Sequence, residues 1–255
     1  MVNYDLVEKL VIDARQIVFN HTNSMNVKMK GDADFVTDID IDISNFIKNE
    51  LAVICPESGF FSEEEDGALM DDCWILDPID GTTNLVYGYN MSSISLAHYL
   101  NGEIVFGIVY NPFNGEIFTA RKGEGAYLNR SVRLQVSDRP IEKSLIEFGA
   151  GSTHKENADE NFALVTEIFK HCVDVRRICS SALVMCYIAA GRLDGYFEKV
   201  LKPWDIAAGH LILSEAGGVT TDYSGNPITF SEKTSVIASN GVIQEFLKSK
   251  IAEYQ

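Results

Sequence analysis

The chain has 255 residues, with 37 Asp and Glu against 21 Lys and Arg, and a formal net charge of −16. A protein of this size buries about 70% of the surface of its unfolded chain, which is ample for one self-sufficient domain. The negative charge argues against a nucleic-acid or anionic-membrane surface, because its field repels phosphate polymers. A small phosphate ester would need a local positive charge, and a bound metal ion could supply it.

The chain shows no segment for export or membrane insertion. Residues 1–16 alternate charged and apolar side chains and lack the hydrophobic stretch of a signal peptide. The longest apolar run, 182–190, is too short to span a bilayer. We therefore expect a cytoplasmic protein with no membrane partner. The five cysteines are odd in number and include no Cys-x-x-Cys pair, which disfavours a disulfide framework.

The first half of the chain predicts helices followed by an antiparallel meander. Apolar residues at helical spacing predict one helix over 6–18 and a second over about 38–54, with a turn over 29–34 between them. Beyond residue 74 the pattern is that of strands, joined by Asn-Gly pairs at hairpin-turn positions. The predicted strands are 74–76, 93–99, 104–110 and 116–120.

In the second half, strands and helices alternate. The predicted elements are a strand over 145–148, a helix over 157–171, a strand over 173–176, a helix over 180–190, a strand over 194–197, a helix from 203 to the glycines at 217–218, a strand over 235–238 and a helix from 242. The loop-rich stretch 137–144 is the one plausible internal boundary. The sequence thus predicts a single α+β domain over residues 1–255, with packed halves at about 1–140 and 141–255.

Three acidic clusters carry the chemistry that the sequence suggests. Each has an ordinary structural explanation: a solvated loop, an Asp-Pro turn with a helix cap, and a capping aspartate. Their occurrence together favours a ligand site. They are Glu63-Glu64-Glu65-Asp66, Asp77-Pro78-Ile79-Asp80-Gly81-Thr82-Thr83 and Trp204-Asp205.

The second cluster is the most informative of the three. Pro78 and Gly81 predict a tight turn after a strand, so that Asp77 and Asp80 can face a common centre. The backbone N–H groups that follow Asp80 would lie at a helix N-terminus, which suits an anion. Carboxylate and carbonyl oxygens are the protein ligands that Mg²⁺ prefers. One loop would therefore supply metal ligands and phosphate donors together.

Residues 74–84, WILDPIDGTTN, resemble a signature of the inositol monophosphatase family of Mg²⁺-dependent, lithium-sensitive phosphatases. Residues 202–209, KPWDIAAG, with EAGG at 215–218, resemble its second signature. Similar segments at 121–127 and 190–196 follow the family order. The resemblance implies a layered α/β/α/β/α sandwich of the inositol monophosphatase and fructose-1,6-bisphosphatase type, a homodimer, and an active site between the halves.

The resemblance also implies a role for each matching residue. Two or three Mg²⁺ ions would be held by Glu63, Asp77, the carbonyl of Ile79, Asp80 and Asp205. Glu63 and the hydroxyl of Thr82 would orient the attacking water, and Asp40 would orient that hydroxyl. The phosphate and the rest of the substrate would be bound by Asp80, Gly81, Thr82, Ser180, Ser181 and Glu198.

Two departures from the family pattern bear on these roles. The run of three glutamates leaves open whether Glu63 or Glu64 faces the metal site. Cys179 stands where the family usually has glycine, so its side chain could narrow the substrate pocket or alter its loop. The metal-binding residues match the family pattern, but Cys179 leaves the identity of the substrate undecided.

The leading hypothesis is a Mg²⁺-dependent phosphomonoesterase that acts on a small sugar or polyol phosphate, inositol 1-phosphate first. An alternative keeps this chemistry on a nucleotide 3′-phosphate, fructose 1,6-bisphosphate, NADP or histidinol phosphate. An additional phosphate would need nearby cations, and the candidates are Arg176, Arg177, Lys199 and Lys202. A third hypothesis is a regulatory protein-binding role, since some bacterial relatives act in RNA-polymerase complexes; the charge of −16 disfavours direct nucleic-acid contact but permits a protein partner.

Overall fold

A computed structural model of the protein describes residues 2–21, 25–31, 34–65, 67–151 and 154–254. The first half contains a short hairpin and a seven-stranded sheet, in which β3 and β4 are parallel and all later neighbours antiparallel. Its elements are α1 (Tyr4–Asp13), α2 (Arg15–His21), β1 (Val27–Gly31), β2 (Asp34–Thr37), α3 (Asp38–Ile54), β3 (Gly59–Ser62), β4 (Asp72–Asp80), α4 (Thr82–Val86), β5 (Ser93–Leu100), β6 (Glu103–Tyr110), β7 (Ile117–Arg121), β8 (Gly125–Leu128) and β9 (Val132–Arg133).

The second half forms a mixed five-stranded sheet of order β11-β10-β12-β14-β13. Strand β10 is parallel to both of its neighbours, whereas β14 is antiparallel to both of its own. The elements are β10 (Leu145–Phe148), α5 (Ala158–Phe169), β11 (Asp174–Arg176), α6 (Ser181–Ala189), β12 (Gly195–Leu201), α7 (Pro203–Glu215), β13 (Val219–Thr221), β14 (Thr234–Ser239) and α8 (Gln244–Glu253).

Buried apolar side chains divide into three cores that define the layers. Helices α1 to α3 pack on one face of the seven-stranded sheet, around Trp74 and Phe106. Helices α6 and α7 fill the space between the two sheets and are buried on nearly every side. Helices α5 and α8 cover the outer face of the second sheet, around Phe197. The predicted α+β sandwich of five alternating layers is therefore confirmed.

Several local predictions were wrong in detail. The helix predicted over 6–18 is interrupted at Ala14, whose carbonyl accepts from the N–H of Ile17, so that the chain makes a tighter turn there. The turn predicted over 29–34 is a hairpin: residues 29–31 belong to β1 and Asp34 begins β2, while residues 32 and 33 lie outside the described residues. Strands β3, β8, β9 and β13 were not predicted, since each is four residues or fewer and lacks a clear alternation.

The tight turn expected within Asp77–Asp80 was also wrong, because β4 continues to Asp80. The strand carries a bulge there: Asp77 lies opposite Ser95 and Asp80 opposite Ser93, three steps on one strand against two on the other. On a regular strand, side chains three residues apart point to opposite faces of the sheet. The bulge inserts one extra residue between Asp77 and Asp80, so their side chains point to the same face. The bulge thus presents both aspartates to one face, and the turn begins only at Gly81, with φ +90°.

Among the described residues, no helix combines the length and apolar character needed to cross a membrane.

Candidate active site

A cleft of about 930 Å³ is lined by residues from both halves of the chain. Its lining includes six of the predicted site residues, namely Glu63, Gly81, Thr82, Ser181, Glu198 and Asp205. The other predicted residues are almost fully buried beside it: Asp40, Asp77, Ile79, Asp80 and Ser180. A second cavity of about 560 Å³, between α1 and the β7–β8 edge, contains none of the predicted residues.

Asp77 is a buried carboxylate with an incomplete set of partners. It is 2% exposed, and its Oδ1 has no hydrogen-bond partner among the described residues. Burial raises its pKa well above the usual value, and the charges of Glu63, Asp80 and Asp205 raise it further. Such an environment makes the ionised carboxylate unfavourable unless a cation compensates it.

Asp80 is held by donors from the second half of the chain. Its Oδ2 accepts from the hydroxyl of Ser180 at 2.5 Å and the N–H of Ala182 at 2.9 Å. Its Oδ1 accepts from the N–H of Ser181 at 3.1 Å. The hydroxyl of Ser93 completes the set at 3.3 Å from Oδ2. Burial raises the pKa of Asp80 to about 6 although these hydrogen bonds lower it.

The structure distinguishes Glu63 from Glu64 by the groups that each one faces. The N–H of Glu63 donates to the carbonyl of Leu76 at 3.3 Å, which extends the pairing of β3 with β4 by one residue. The Glu63 charge raises the pKa of both Asp77 and Asp205. The Glu64 charge acts on Asp40 instead. The geometry therefore favours Glu63 as the member of the acidic cluster; Asp66, in the same run, lies outside the described residues.

Asp205 brings a carboxylate to the cleft from the first turn of α7. Its Oδ2 accepts from the backbone N–H of Lys202 at 2.6 Å, and Pro203 occupies the first helical position, where no N–H is needed. Burial raises its pKa well above the usual value, and the charges of Glu63 and Asp80 add to the effect. The ordinary capping role and a place in the acidic cluster are thus combined in one residue.

Thr82 and Asp40 meet although they are 42 residues apart. The Thr82 hydroxyl lies 3.2 Å from Asp40 Oδ1 and 3.0 Å from the carbonyl oxygen of Ile79. Asp40 Oδ2 accepts from the N–H of Thr37 at 2.8 Å and from its hydroxyl at 2.5 Å, which anchors the carboxylate at the start of α3. Burial raises the pKa of Asp40 to about 6.

On the opposite wall, a chain of hydroxyls leads to Glu198. The Ser181 hydroxyl lies 2.9 Å from the Tyr196 hydroxyl, which donates to Glu198 Oε2 at 2.5 Å. A Cβ at Gly149 would collide with this carboxylate, so glycine makes room for it. Burial raises the pKa of Glu198.

Four contributors to the site were missed from the sequence: Ser93, Gly149, Tyr196 and Asn84. Asn84 and Tyr196 fall inside segments that resemble the family, which was the available signal. Ser93 and Gly149 carried none, because each becomes relevant only through a partner that is distant in the chain.

The acidic cluster has some, but not all, features of a metal site. Across the described ranges, no three His, Cys, Asp or Glu side chains are already gathered at the spacing of a metal site. The donor set is nevertheless of the type that Mg²⁺ prefers, being made of carboxylates and a carbonyl. Asp77 also has a buried oxygen without a described partner, and it lies in the field of the other acidic groups. The residues fit a hard divalent cation, and their individual roles stay predictions.

Comparison with known proteins agrees with this geometry. The model of the inositol monophosphatase family matches residues 3–255. A protein named inositol-1-monophosphatase from Mesorhizobium japonicum is 37% identical over 234 residues, which cover 90% of this chain and 87% of the relative. A protein named Nus factor SuhB from Pasteurella multocida is 36% identical over 233 residues, with the same two shares covered.

Two solved structures have the same fold. The IMPase of Thermotoga maritima has a TM-score of 0.91 at 33% identity, covering 98% of this chain and 97% of that chain. An IMPase/NADP phosphatase complexed with Mg²⁺ and phosphate has a TM-score of 0.88 at 25% identity, covering 96% and 93%. Since the similarity extends over nearly the whole length, this chain belongs to the inositol monophosphatase family.

Proposed function

We propose that this protein is a Mg²⁺-dependent phosphomonoesterase that hydrolyses a small sugar or polyol phosphate, with inositol 1-phosphate as the first candidate. The observation that carries the proposal is the Asp77 carboxylate, buried among three other acidic groups with an oxygen that has no described partner. A site of this kind requires positive charge, and the family and the Mg²⁺ complex of a relative supply a reason to choose Mg²⁺.

The residues that would hold two or three Mg²⁺ ions are Glu63, Asp77, Asp80, Asp205 and the carbonyl of Ile79. When bound, such ions neutralise phosphoryl oxygens and activate water. Asp80 Oδ1 accepts a single N–H, so a lone pair stays available for an ion.

The remaining groups would orient the reactants. Asp40, fixed by Thr37, would hold the Thr82 hydroxyl in one direction, and that hydroxyl together with Glu63 would align a water. The N–H groups of Gly81 and Thr82 would bind the phosphate, because the left-handed Gly81 starts a short helix at the cleft. Hydrolysis by an aligned water needs no covalent intermediate on the protein.

Glu198, Ser180 and Ser181 would contact the alcohol portion of the substrate. An alternative substrate with a second phosphate group would need cationic side chains at the cleft. Two of the four candidates line it, namely Arg177 and Lys202. The other two are engaged elsewhere, since Arg176 pairs with Asp174 and Lys199 pairs with Glu160 at 2.8 Å. Two cations at the cleft are compatible with a second phosphate, so the ester panel described below has to distinguish one phosphate from two.

A second candidate function rests on the similarity to a protein named Nus factor SuhB. In that case the chain would act through a partner, with phosphatase activity secondary. Function in cells that survives Asp77→Asn would favour this candidate. A homodimer, a cytoplasmic location and the lack of direct nucleic-acid contact stay predictions of the sequence.

The test is a panel of phosphate esters assayed for released phosphate under Mg²⁺ titration. The panel contains inositol 1-phosphate, a nucleotide 3′-phosphate, fructose 1,6-bisphosphate, NADP and histidinol phosphate. We expect release that requires Mg²⁺, stops with EDTA and is fastest for inositol 1-phosphate. Release that is unchanged by EDTA, or no release from any ester, would contradict the proposal.

A further inference from the structure

The backbone of Ile178 and Cys179 is held by side chains from both halves of the protein. From the first half, the side-chain amide of Asn84 donates to the Ile178 carbonyl at 2.7 Å and also to the Met91 carbonyl at 2.7 Å. From the second half, Glu147 Oε1 accepts from the Ile178 N–H at 2.6 Å. The N–H of Cys179 faces the same carboxylate. The segment therefore bridges the two walls of the cleft.

Cys179 adopts a backbone conformation that its residue type disfavours. Its φ is +61°, in the left-handed region, although it is not a glycine. Its carbonyl oxygen lies 3.0 Å from the place where a Cβ on Gly81 would be, so the two loops are in close contact. Conformations of this kind persist only where the surroundings impose them. Glu147 and Asn84 hold the backbone at Ile178, directly before Cys179.

The position of this peptide affects the acidic cluster directly. The next three residues supply three of the four donors to Asp80: the Ser180 hydroxyl and the N–H groups of Ser181 and Ala182. A shift at Ile178 would therefore move the partners of Asp80. It would also move Cys179, which lines the cleft.

Glu147 itself has no part in the proposed chemistry, yet it is an unusual residue for its place. It lies in the middle of β10, between β11 and β12, and is 1% exposed. Its Oε2 is buried without a hydrogen-bond partner among the described residues. Burial raises its pKa to about 8. Burying a carboxyl in this way is unfavourable, and the grip on the Ile178 N–H is the compensating feature.

We propose that Glu147 is a positioning residue, which fixes the Arg177–Ser181 loop across the cleft and thereby sets the substrate-binding geometry. The effect on catalysis rests on the proposed phosphatase function, whereas the effect on the loop does not. Two independent measurements therefore test the two effects. The kinetic constants for phosphate release report on catalysis, and the reactivity of the exposed Cys179 thiol reports on the loop.

The experiment compares Glu147→Leu with Glu147→Gln in the full-length protein. Leucine removes the acceptor, whereas glutamine removes the ionisable group and keeps an oxygen that can accept from the Ile178 N–H. For Glu147→Leu we expect the KM for the phosphate ester, measured by phosphate release, to rise about tenfold, with a smaller fall in kcat, as the loss of one buried hydrogen bond implies. Glu147→Gln should stay within about twofold of the wild type in both constants.

The second readout is the rate of Cys179 alkylation by iodoacetamide, followed by peptide mass. We expect alkylation at least about fivefold faster in Glu147→Leu and near the wild-type rate in Glu147→Gln, because only leucine releases the loop. The partly exposed Cys172 serves as an internal reference. Equal acceleration in both variants would mean that the acceptor oxygen at position 147 does not hold the loop, and would overturn the proposal.

A matched control is Glu8→Gln, since Glu8 is also a buried carboxyl, ion-paired with Arg130 in the first half and outside the cleft. It should leave KM and Cys179 alkylation unchanged. If it changes them as Glu147→Leu does, a general loss of stability is the cause and the proposal is wrong. Lack of phosphate release by the wild type would contradict the proposed function, and alkylation would still decide whether Glu147 holds the loop.

Discussion

Two buried aspartates of this protein are treated in opposite ways by their surroundings. Asp194, directly before β12, is fully buried and accepts from Ser137 Oγ at 2.5 Å, Arg139 Nε at 2.9 Å and the Leu145 N–H at 2.8 Å. Asp77, beside the cleft, is almost equally buried but lies near other acidic groups, and one of its oxygens has no described partner.

The difference separates a structural carboxylate from a candidate functional one. Around Asp194 the fold supplies a cation and hydrogen-bond donors, so the buried charge stabilises the junction between the halves. Around Asp77 the fold supplies further negative charge, which favours unfolding unless something from solution binds. Burial alone therefore does not identify a candidate functional acid; burial among other acidic groups, without a compensating cation from the described residues, does so for Asp77.

The largest expected effect is on activity. Asp77→Asn should lower Mg²⁺-dependent phosphate release at least about 10²–10³-fold, on the scale of a lost preorganised electrostatic group. Without Mg²⁺ its thermal stability should equal or exceed that of the wild type, because a repelled buried charge has been removed. Phosphate assays and calorimetry on the same preparation measure both. Activity within a few-fold of the wild type would contradict the comparison.

Asp194→Asn should show the reverse pattern. We expect it to lose about 2–4 kcal/mol of unfolding free energy, since Arg139 and the Leu145 N–H lose a charged acceptor. Its folded fraction should keep nearly full phosphatase activity. Urea unfolding and the activity per folded molecule test this. A variant as stable as the wild type would show that the Asp194 cluster does not have the structural role assigned to it.

The pH dependence of stability sharpens the comparison at Asp40. Burial raises its pKa to about 6, so between about pH 4 and 6 the folded protein keeps a proton that the unfolded chain has lost. Its stabilising contribution is present below about pH 4 and is lost as pH rises through about 6. In metal-free buffer, the stability of Asp40→Asn relative to the wild type should therefore rise by about 2–3 kcal/mol from pH 4 to 7.

Glu116→Gln is the control of opposite sign. The hydrogen bond and charge of Arg192 lower the pKa of Glu116, so its contribution is present near neutral pH and is lost as pH falls. Relative to the wild type, Glu116→Gln should thus become less stable as pH rises. Urea unfolding at several pH values distinguishes the two trends. Parallel trends for both variants would contradict the assignment for Asp40.

The smallest expected effect concerns backbone strain. Both regions contain a residue with a left-handed backbone conformation: near Asp194 that residue is Gly191, whereas at the cleft it is Cys179. Cys179→Gly should therefore raise the unfolding free energy by about 0.5–1 kcal/mol, as strain is relieved and chain entropy offsets part of the gain. The exposed Val173 has no positive φ, and Val173→Gly should lose stability instead. Destabilisation by Cys179→Gly would contradict the inference of strain.

Much of the fold could be predicted from the sequence because burial imposes a period on apolar residues. The helix predicted over 38–54 is α3 (Asp38–Ile54), and the strand predicted over 145–148 is β10 (Leu145–Phe148). The bulge of β4 could not be predicted, because it depends on pairing with Ser93 and Ser95 on β5. The pattern around Pro78 indicated a turn instead.

The acidic residues of the site could be listed from the sequence, but the contacts between them could not. Whether Glu63 or Glu64 joins the cluster depends on where β3 ends against β4. The positioning role of Glu147 could not be predicted, because the sequence does not show which N–H group will donate a hydrogen bond to a single acidic residue in an apolar strand. Such information lies in partners that are distant along the chain.

We propose that the acidic cluster around Asp77 binds a divalent cation, and that this binding does not depend on buried carboxylates elsewhere, such as Asp194. This proposal is tested most directly by the melting temperature with and without saturating Mg²⁺, in the wild type, Asp77→Asn and Asp194→Asn. At about 100 times the dissociation constant, binding to the folded state adds about 2.7 kcal/mol. We predict a clear rise for the wild type and Asp194→Asn and none for Asp77→Asn. An equal rise in all three proteins, or none in the wild type, would contradict the account.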